Sequence, residues 1–157
     1  MAINDTTGLT GFFDAQELVI QRLQATVPSL GFVGGSRNMK EVFARQVPFP
    51  AALVLFNKYK PLKKQTAAFG AFQGIEQLIE VVIVDDNQSD YESGAGARIE
   101  AGPIVLQVMQ ALMGWIPSPA HTNLQLEAGA QAAYVGGLAY FPLAFSTEVH
   151  VNAGATL

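Results

Sequence analysis

Residues 98–115, RIEAGPIVLQVMQALMGW, constrain the rest of this chain most. Leu106, Met109 and Met113, flanked by Val105 and Leu112, recur at the i, i+3, i+4, i+7 spacing of one helical face. Glu100, Gln107 and Gln110 fall on the other side, so the segment predicts an amphipathic helix with a wide apolar face. Gly114 suits the left-handed residue at which helices end, and Pro117 and Pro119 forbid continuation. Pro103 leaves two starts open. Either the helix begins there with Gly102 as its cap, or an earlier turn from Ala97 is kinked at Pro103. A one-faced helix needs a surface to cover, and the remaining apolar segments read as strands and one earlier helix.

That earlier helix runs from Asp14 to about Thr26. Asp14 and Glu17 resemble a capping box with Asp in the Ser/Thr place. Ala15, Leu18, Val19, Leu23 and Val27 are the inward set; Gln16, Gln21, Arg22 and Gln24 look outward. Pro28 ends it. Gly31 to Ser36 reads as a turn-rich connection. Asn38 to Arg45 is either a short helical turn or an irregular segment. Ala51 to Asn57 is a short apolar run bounded by turn residues, as in a buried strand. Lys58 to Phe72 reads as a long loop or hairpin excursion.

Ile75 to Val84 is the strongest strand signal. Ile75, Gln77, Ile79, Val81 and Ile83 share one face; Glu76, Leu78, Glu80, Val82 and Val84 share the other. The second face therefore starts wet and ends covered. Asp85 to Gly96 is acidic, glycine-tipped and without periodicity, and reads as a loop. A strand is expected near Asn123 to Glu127, with Leu124 and Leu126 inward. Gly129 to Gly137 is a small-residue connection. Leu138 to Val151 is the last strand, where Pro142 points to an edge or a bulge. The order helix, strand, strand, helix, strand, strand favours antiparallel pairing. The expected fold is α+β, a mostly antiparallel sheet of four to five strands packed against two main helices. Residues 1–11 are expected to form a flexible arm and residues 12–157 a single domain.

Composition limits the function classes. A chain of 157 residues buries roughly 70% of its unfolded surface, enough for a core without staples. It has no cysteine, which excludes disulfides, zinc–thiolate sites and thiol nucleophiles. Only 14% of its residues are charged, against about 25% for an average soluble protein, while half are hydrophobic. So little charge predicts a subunit interface; the alternative is an Ala- and Gly-rich monomer. The start has neither a basic nor an apolar run, so no secretory signal is read. No window approaches the roughly 18 apolar residues of a membrane span. A net charge of −4 argues against a general nucleic-acid binder. A soluble cytosolic protein that uses no membrane is expected.

No catalytic constellation emerges. Gly94-Ala-Gly96-Ala-Arg98-Ile99 lacks the third glycine of a dinucleotide fingerprint, and the carboxylates before it would repel a pyrophosphate. Asp85, Asn87 and Ser89 imitate a calcium loop, but Asp90 stands where that loop needs Gly and Gly96 where it needs Glu. His121 and His150 have no metal-ligand spacing. Gly34-Gly35-Ser36-Arg37-Asn38 lacks the closing glycine of a nucleophile elbow. No cofactor is implied. Enzyme activity is not expected.

Two loops remain as candidate contact surfaces. Lys58, Lys60, Lys63 and Lys64 form the one basic cluster. It reads as a solubilising loop, as a partner for the acidic stretch Asp85, Asp86, Asp90 and Glu92 on a neighbouring subunit, or as a loop facing DNA through a ring's lumen. Trp115, the one tryptophan, reads as an anchor at the end of the second helix, in the core or at an interface.

Several stretches together resemble a known family. ELVIQRLQA, PFPAALVLF, LIEVVIVDDN, ALMGWIPSP and YFPLAFSTEVHV resemble, in order, the opening helix, first strand, long strand, helix end and last strand of one protein type. These are the tail terminator, or tail completion, proteins of Mu-like and lambda-like long-tailed bacteriophages. The resemblance implies an α+β subunit of a hexameric ring in the virion tail or neck, assembled in the host cytoplasm. Such a ring caps the finished tail tube, presents a surface to the head–tail connector, and lets DNA pass without specific binding. It implies no catalytic motif. The rival readings are another neck or head-completion protein, a small-molecule binding module, and an enzyme.

Overall fold

The computed structural model describes residues 9–62, 72–86 and 95–152. Helix α1 spans Asp14–Thr26, strand β1 Phe32–Gly34, and helix α2 Met39–Phe43 after a single 3-10 turn at Ser36–Asn38. Strands β2 (Ala51–Pro61) and β3 (Phe72–Asp86) follow, then helix α3 (Ala95–Leu112). Strands β4 (Gln125–Glu127), β5 (Ala133–Val135) and β6 (Leu138–Asn152) complete the described chain.

The six strands form one mixed sheet in the order β1-β2-β3-β6-β4, with β5 also paired to β6. Every pairing is antiparallel except β1 with β2, which is parallel. The fold is α+β, as expected, with a somewhat larger sheet. The two additional strands, β1 and β5, are three residues each, too short to show a period of two, and lie in stretches that read as connections. A parallel pair needs a crossover, and residues 35–50 provide it through α2.

One face of the sheet carries the main core. Ala52, Val54, Ile79, Val81, Ile83, Leu143 and Phe145 meet Ala15, Val19 and Leu23 of α1 and Val108 and Leu112 of α3. Nearly all of these are closed to solvent, so each large side chain there stabilises by about 1.5–3 kcal/mol. The opposite face is covered only near the start of β2, where Val42 of α2 packs with Ala51, Leu53, Val84 and Leu138.

The buried face of α3 differs from the expected one. Ala101, Val108 and Leu112 are buried, with Ile104, Val105 and Met109 packed beside them. Leu106 and Met113 are 54% and 52% exposed. Residues 104–113 are apolar at eight of ten positions, so spacing alone fits more than one stripe. Pro103 lies inside the helix, which starts at Ala95. Gly114 takes the left-handed conformation at φ 78° and ends it, as its position predicts.

Three smaller expectations are also corrected. Asp14 does not cap α1: the cap position is Phe13, and the Asp14 carboxylate instead accepts the Thr10 backbone N–H at 2.6 Å and its hydroxyl at 3.0 Å. Gln16 and Arg22 are half-buried rather than outward; Gln16 donates to Val54 O at 2.8 Å and Arg22 to Ala111 O at 3.1 Å. Leu126 is 40% exposed, because β4 is the outer strand and α3 reaches only as far as Leu124.

Pro142 lies inside β6 opposite Val82. On the other side of β6, β5 ends its pairing at Tyr140 and β4 begins at Ala144. Pro142 therefore occupies the gap between two partner strands. There its missing N–H removes no ladder bond on that side, which is the local edge its sequence position predicts.

Candidate assembly surface

The basic residues lie on a strand rather than a loop. Lys58 pairs with Leu78 and Lys60 with Glu76 across the β2–β3 ladder, and both lysines are exposed. The ladder steps from Phe56–Ile79 to Lys58–Leu78, leaving Asn57 as a bulge. One extra residue exchanges the two faces of everything beyond it. Lys58 and Lys60 thereby join the face of Leu55, Glu76 and Glu80, away from the helices. Lys63 and Lys64 lie outside the described residues.

That face is an open polar surface past the end of α2. Glu76 sits between Lys60 on β2 and Glu148 on β6, and Leu78 between Lys58 and Ser146. Ser146 donates its hydroxyl to Glu127 at 2.6 Å and fixes that carboxylate at the β4 edge.

The acidic candidates occupy the other end of β3. Asp85 and Asp86 are its last two residues rather than loop; Asp90 and Glu92 lie outside the described residues. Asp86 is exposed, whereas Asp85 is buried. Burial, with like charge from Glu100 and Asp86, raises the Asp85 carboxyl above its usual range, although it accepts the Asp86 N–H at 2.8 Å. Ten residues separate Glu76 from Asp86, about 33 Å along a strand. The lysine end and the acidic end of one subunit therefore face opposite ways and do not meet within it.

Trp115 is half-buried against the main core. Its N–H donates to Leu112 O at 3.1 Å and its carbonyl accepts Leu124 N–H at 2.8 Å, while Gly114 N–H donates to Leu124 O at 2.8 Å. These bonds tie the end of α3 to the lead-in of β4. The Arg22 guanidinium lies over the indole at 5.2 Å.

Sequence reasoning did not find the aromatic group on the helix side of the lysine end. Phe12 meets Phe13, Phe56 and Tyr59 with ring centroids 5.4–5.6 Å apart, and Phe13 meets Phe56 at 5.0 Å. Phe13 and Tyr59 are more than half exposed. The adjacent pair Phe12-Phe13 was the available signal. Phe12 O accepts Gln77 Nε2 at 2.8 Å, which fixes this segment over the sheet.

Chemistry is sparse. His121 is buried, and burial foremost lowers its pKa, against a smaller raising effect from Asp14. Its Nδ1 lies 2.6 Å from Ser118 Oγ. Among the described residues, His121 Nε2 and Gln77 Oε1 are the buried side-chain atoms without a hydrogen-bond partner. No group of three His, Asp or Glu among the described residues could hold a metal ion. No described helix is long and apolar enough to cross a membrane.

The comparisons agree with this picture of a structural subunit. Among curated proteins none matches the chain. A chain of the solved structure "Virion of native gene transfer agent (GTA) particle" shares the fold with a TM-score of 0.52. It is 15% identical, and the match covers 86% of this chain and 93% of that one. The family model for the phage tail terminator protein matches residues 9–155. This chain belongs to the phage tail terminator family and is a structural protein of the virion tail.

Proposed function

We propose that this chain forms a hexameric ring that caps the tail tube at full length and presents its other side to the head–tail connector. The ring assembles in the host cytoplasm, and DNA passes through it without sequence-specific contact. Residues 12–157 act as one unit in it. The observation that carries the reading is the family match over residues 9–155.

The geometry supports it in two ways. Exposed large apolar side chains at Phe13, Tyr59, Leu106, Met113, Ile116 and Val135 are available for burial at subunit contacts. The strand ends also differ in their charged groups: Lys58 and Lys60 stand beside Glu76 and Glu148 at one, and exposed Asp86 marks the other. With strands along the ring axis, one end meets the tube and the other the connector, and electrostatic complementarity sets the orientation of docking.

The test is to mix the purified protein with purified tail tubes. Decoration of tube ends and arrest of further tube growth are expected. Bare tube ends with an unchanged length distribution overturn the terminator reading. Binding to connectors without binding to tubes identifies a neck protein instead.

A further inference from the structure

Gln77 is 1% exposed and His121 6%, yet Gln77 Oε1 and His121 Nε2 have no hydrogen-bond partner within the protein. A polar atom shut in a low-dielectric interior is costly unless it is paired, and native proteins pair nearly all of them with protein groups or ordered water.

The two side chains share one face of the sheet and one roof. Gln77 on β3 stands opposite Thr147 on β6, and His121 bridges Val149 two residues further along β6. Residues two apart on a strand, and residues paired across strands, point to the same side. Gln77, Thr147, Val149 and His121 therefore lie on the helix side, in line with Ile79 and Phe145 of the main core. Residues 12–14 pass over both ends of this row. Gln77 Nε2 donates to Phe12 O at 2.8 Å, and the charge of Asp14, two residues on, reaches the His121 ring.

The donors and acceptors leave one specific gap. Ser118 Oγ accepts the Ala120 N–H at 3.1 Å, and its own proton serves His121 Nδ1 at 2.6 Å. The remaining ring proton then sits on Nε2, a donor. Thr147 gives its hydroxyl proton to Thr122 O at 2.7 Å and keeps a lone pair, between Gln77 and His121. Gln77 Oε1 only accepts. One donor and two acceptors are the complement of a single water, and buried waters make about three hydrogen bonds. A metal ion is a poorer match, because no group of three His, Asp or Glu stands together among the described residues.

We propose that the seam between residues 12–14, β3 and residues 118–122 binds one internal water molecule. It accepts from His121 Nε2–H and donates to Gln77 Oε1 and Thr147 Oγ1. The water joins β3 to the segment before β4 beneath the start of α1, and it completes the polar lining that holds Phe12 over the sheet. The site lies within one subunit, so its failure leaves the ring reading untouched.

Two measurements on the full chain test it. Nitrogen-labelled histidine, observed by NMR above pH 6.5 where the ring is neutral, reports which ring nitrogen carries the proton. Protonated Nε2 is expected for His121; protonated Nδ1 overturns the assignment. Water-oxygen relaxation dispersion counts long-lived internal waters, and Gln77→Met and His121→Phe should each lose one relative to the parent. An unchanged count in folded variants overturns the site. A crystal structure of the parent protein decides without any variant. A water within about 3 Å of both Gln77 Oε1 and His121 Nε2 supports the site. A direct Gln77–His121 hydrogen bond, or a peak whose anomalous scattering marks a metal, overturns it.

Discussion

The guanidinium of Arg22 lies over the indole of Trp115, 5.2 Å from the ring centroid, while its Nε donates to Ala111 O at 3.1 Å. One side chain on α1 thus holds the end of α3 twice, once through charge on a π face and once through a terminal helix carbonyl. The bond satisfies one of the carbonyls that the last turn of a helix leaves without an intrahelical partner.

Arg22→Ala removes both contacts. A cation–π contact at a partly exposed site contributes about 0.5–1 kcal/mol, and a hydrogen bond about the same or slightly more. A loss of about 1–2 kcal/mol is expected, read as a lower midpoint in chemical denaturation. Arg22→Lys should recover only part, since an ammonium lacks the planar fork that serves ring and carbonyl together. Equal stability of Arg22→Ala and the parent would show that the pair is incidental.

The β5–β6 hairpin turns on Gly136 and Gly137, at φ 63° and 76°, with Val135 paired to Leu138. Two successive left-handed residues make the type of two-residue turn that matches strand twist. Gly137→Val should destabilise by about 1–2 kcal/mol, the cost of holding a side chain in that region. Gly136→Asn should be far milder, because Asn tolerates the conformation. A milder Val than Asn variant would contradict the assignment of this turn.

Burial holds the His121 pKa below its ordinary 6.5, so the folded protein binds fewer protons than the unfolded chain in the window just below 6.5. Where the unfolded state binds more protons, stability rises with pH. The His121 contribution is therefore complete above 6.5 and lost as pH falls through that window. Asp85 acts lower and in the opposite sense: its raised pKa makes the fold lose stability as pH rises just above 3.8. Urea denaturation between pH 7.5 and 5.5 should show a decline that His121→Gln flattens. An identical slope in the variant would remove His121 as the cause.

Lys60, Lys63 and Lys64 changed together to Glu should abolish tube-end or connector binding and leave folding nearly intact. Lys60 is exposed opposite Glu76, so a like-charge pair there costs only about 0.2–1 kcal/mol. Circular dichroism and thermal melting check the fold, and pull-down on tubes checks the contact. Unchanged binding would make the cluster a solubilising feature.

Much of the fold was legible because hydrophobic period and punctuation agreed. The alternation from Ile75 to Val84 holds in β3: Gln77, Ile79, Val81 and Ile83 are buried, and the opposite face is covered only toward Val84. Gly114 and the prolines after it mark the end of α3 because they act through the local backbone. The family resemblance rested on the same local stretches, and the match over residues 9–155 places the chain in that family.

The sequence by itself determined where the long elements lie, because their signals are local. Only the tertiary structure decided which way the side chains of α3, and of β2 beyond Phe56, face. The single extra residue at Asn57 moves Lys58 and Lys60 to the open face of the sheet, and no pattern in residues 51–61 announces it. An α3 that is apolar almost all round buries the Val108 stripe and exposes Leu106 because α1 and the sheet approach from that side. β1 and β5 are strands only because β2 and β6 offer their edges; three residues have no periodicity of their own. Asp85 is buried because β3 continues two residues past its apolar run, where an acidic sequence reads as solvent. Local backbone preference is written residue by residue, whereas register, face and burial arise from pairing between residues far apart in the chain.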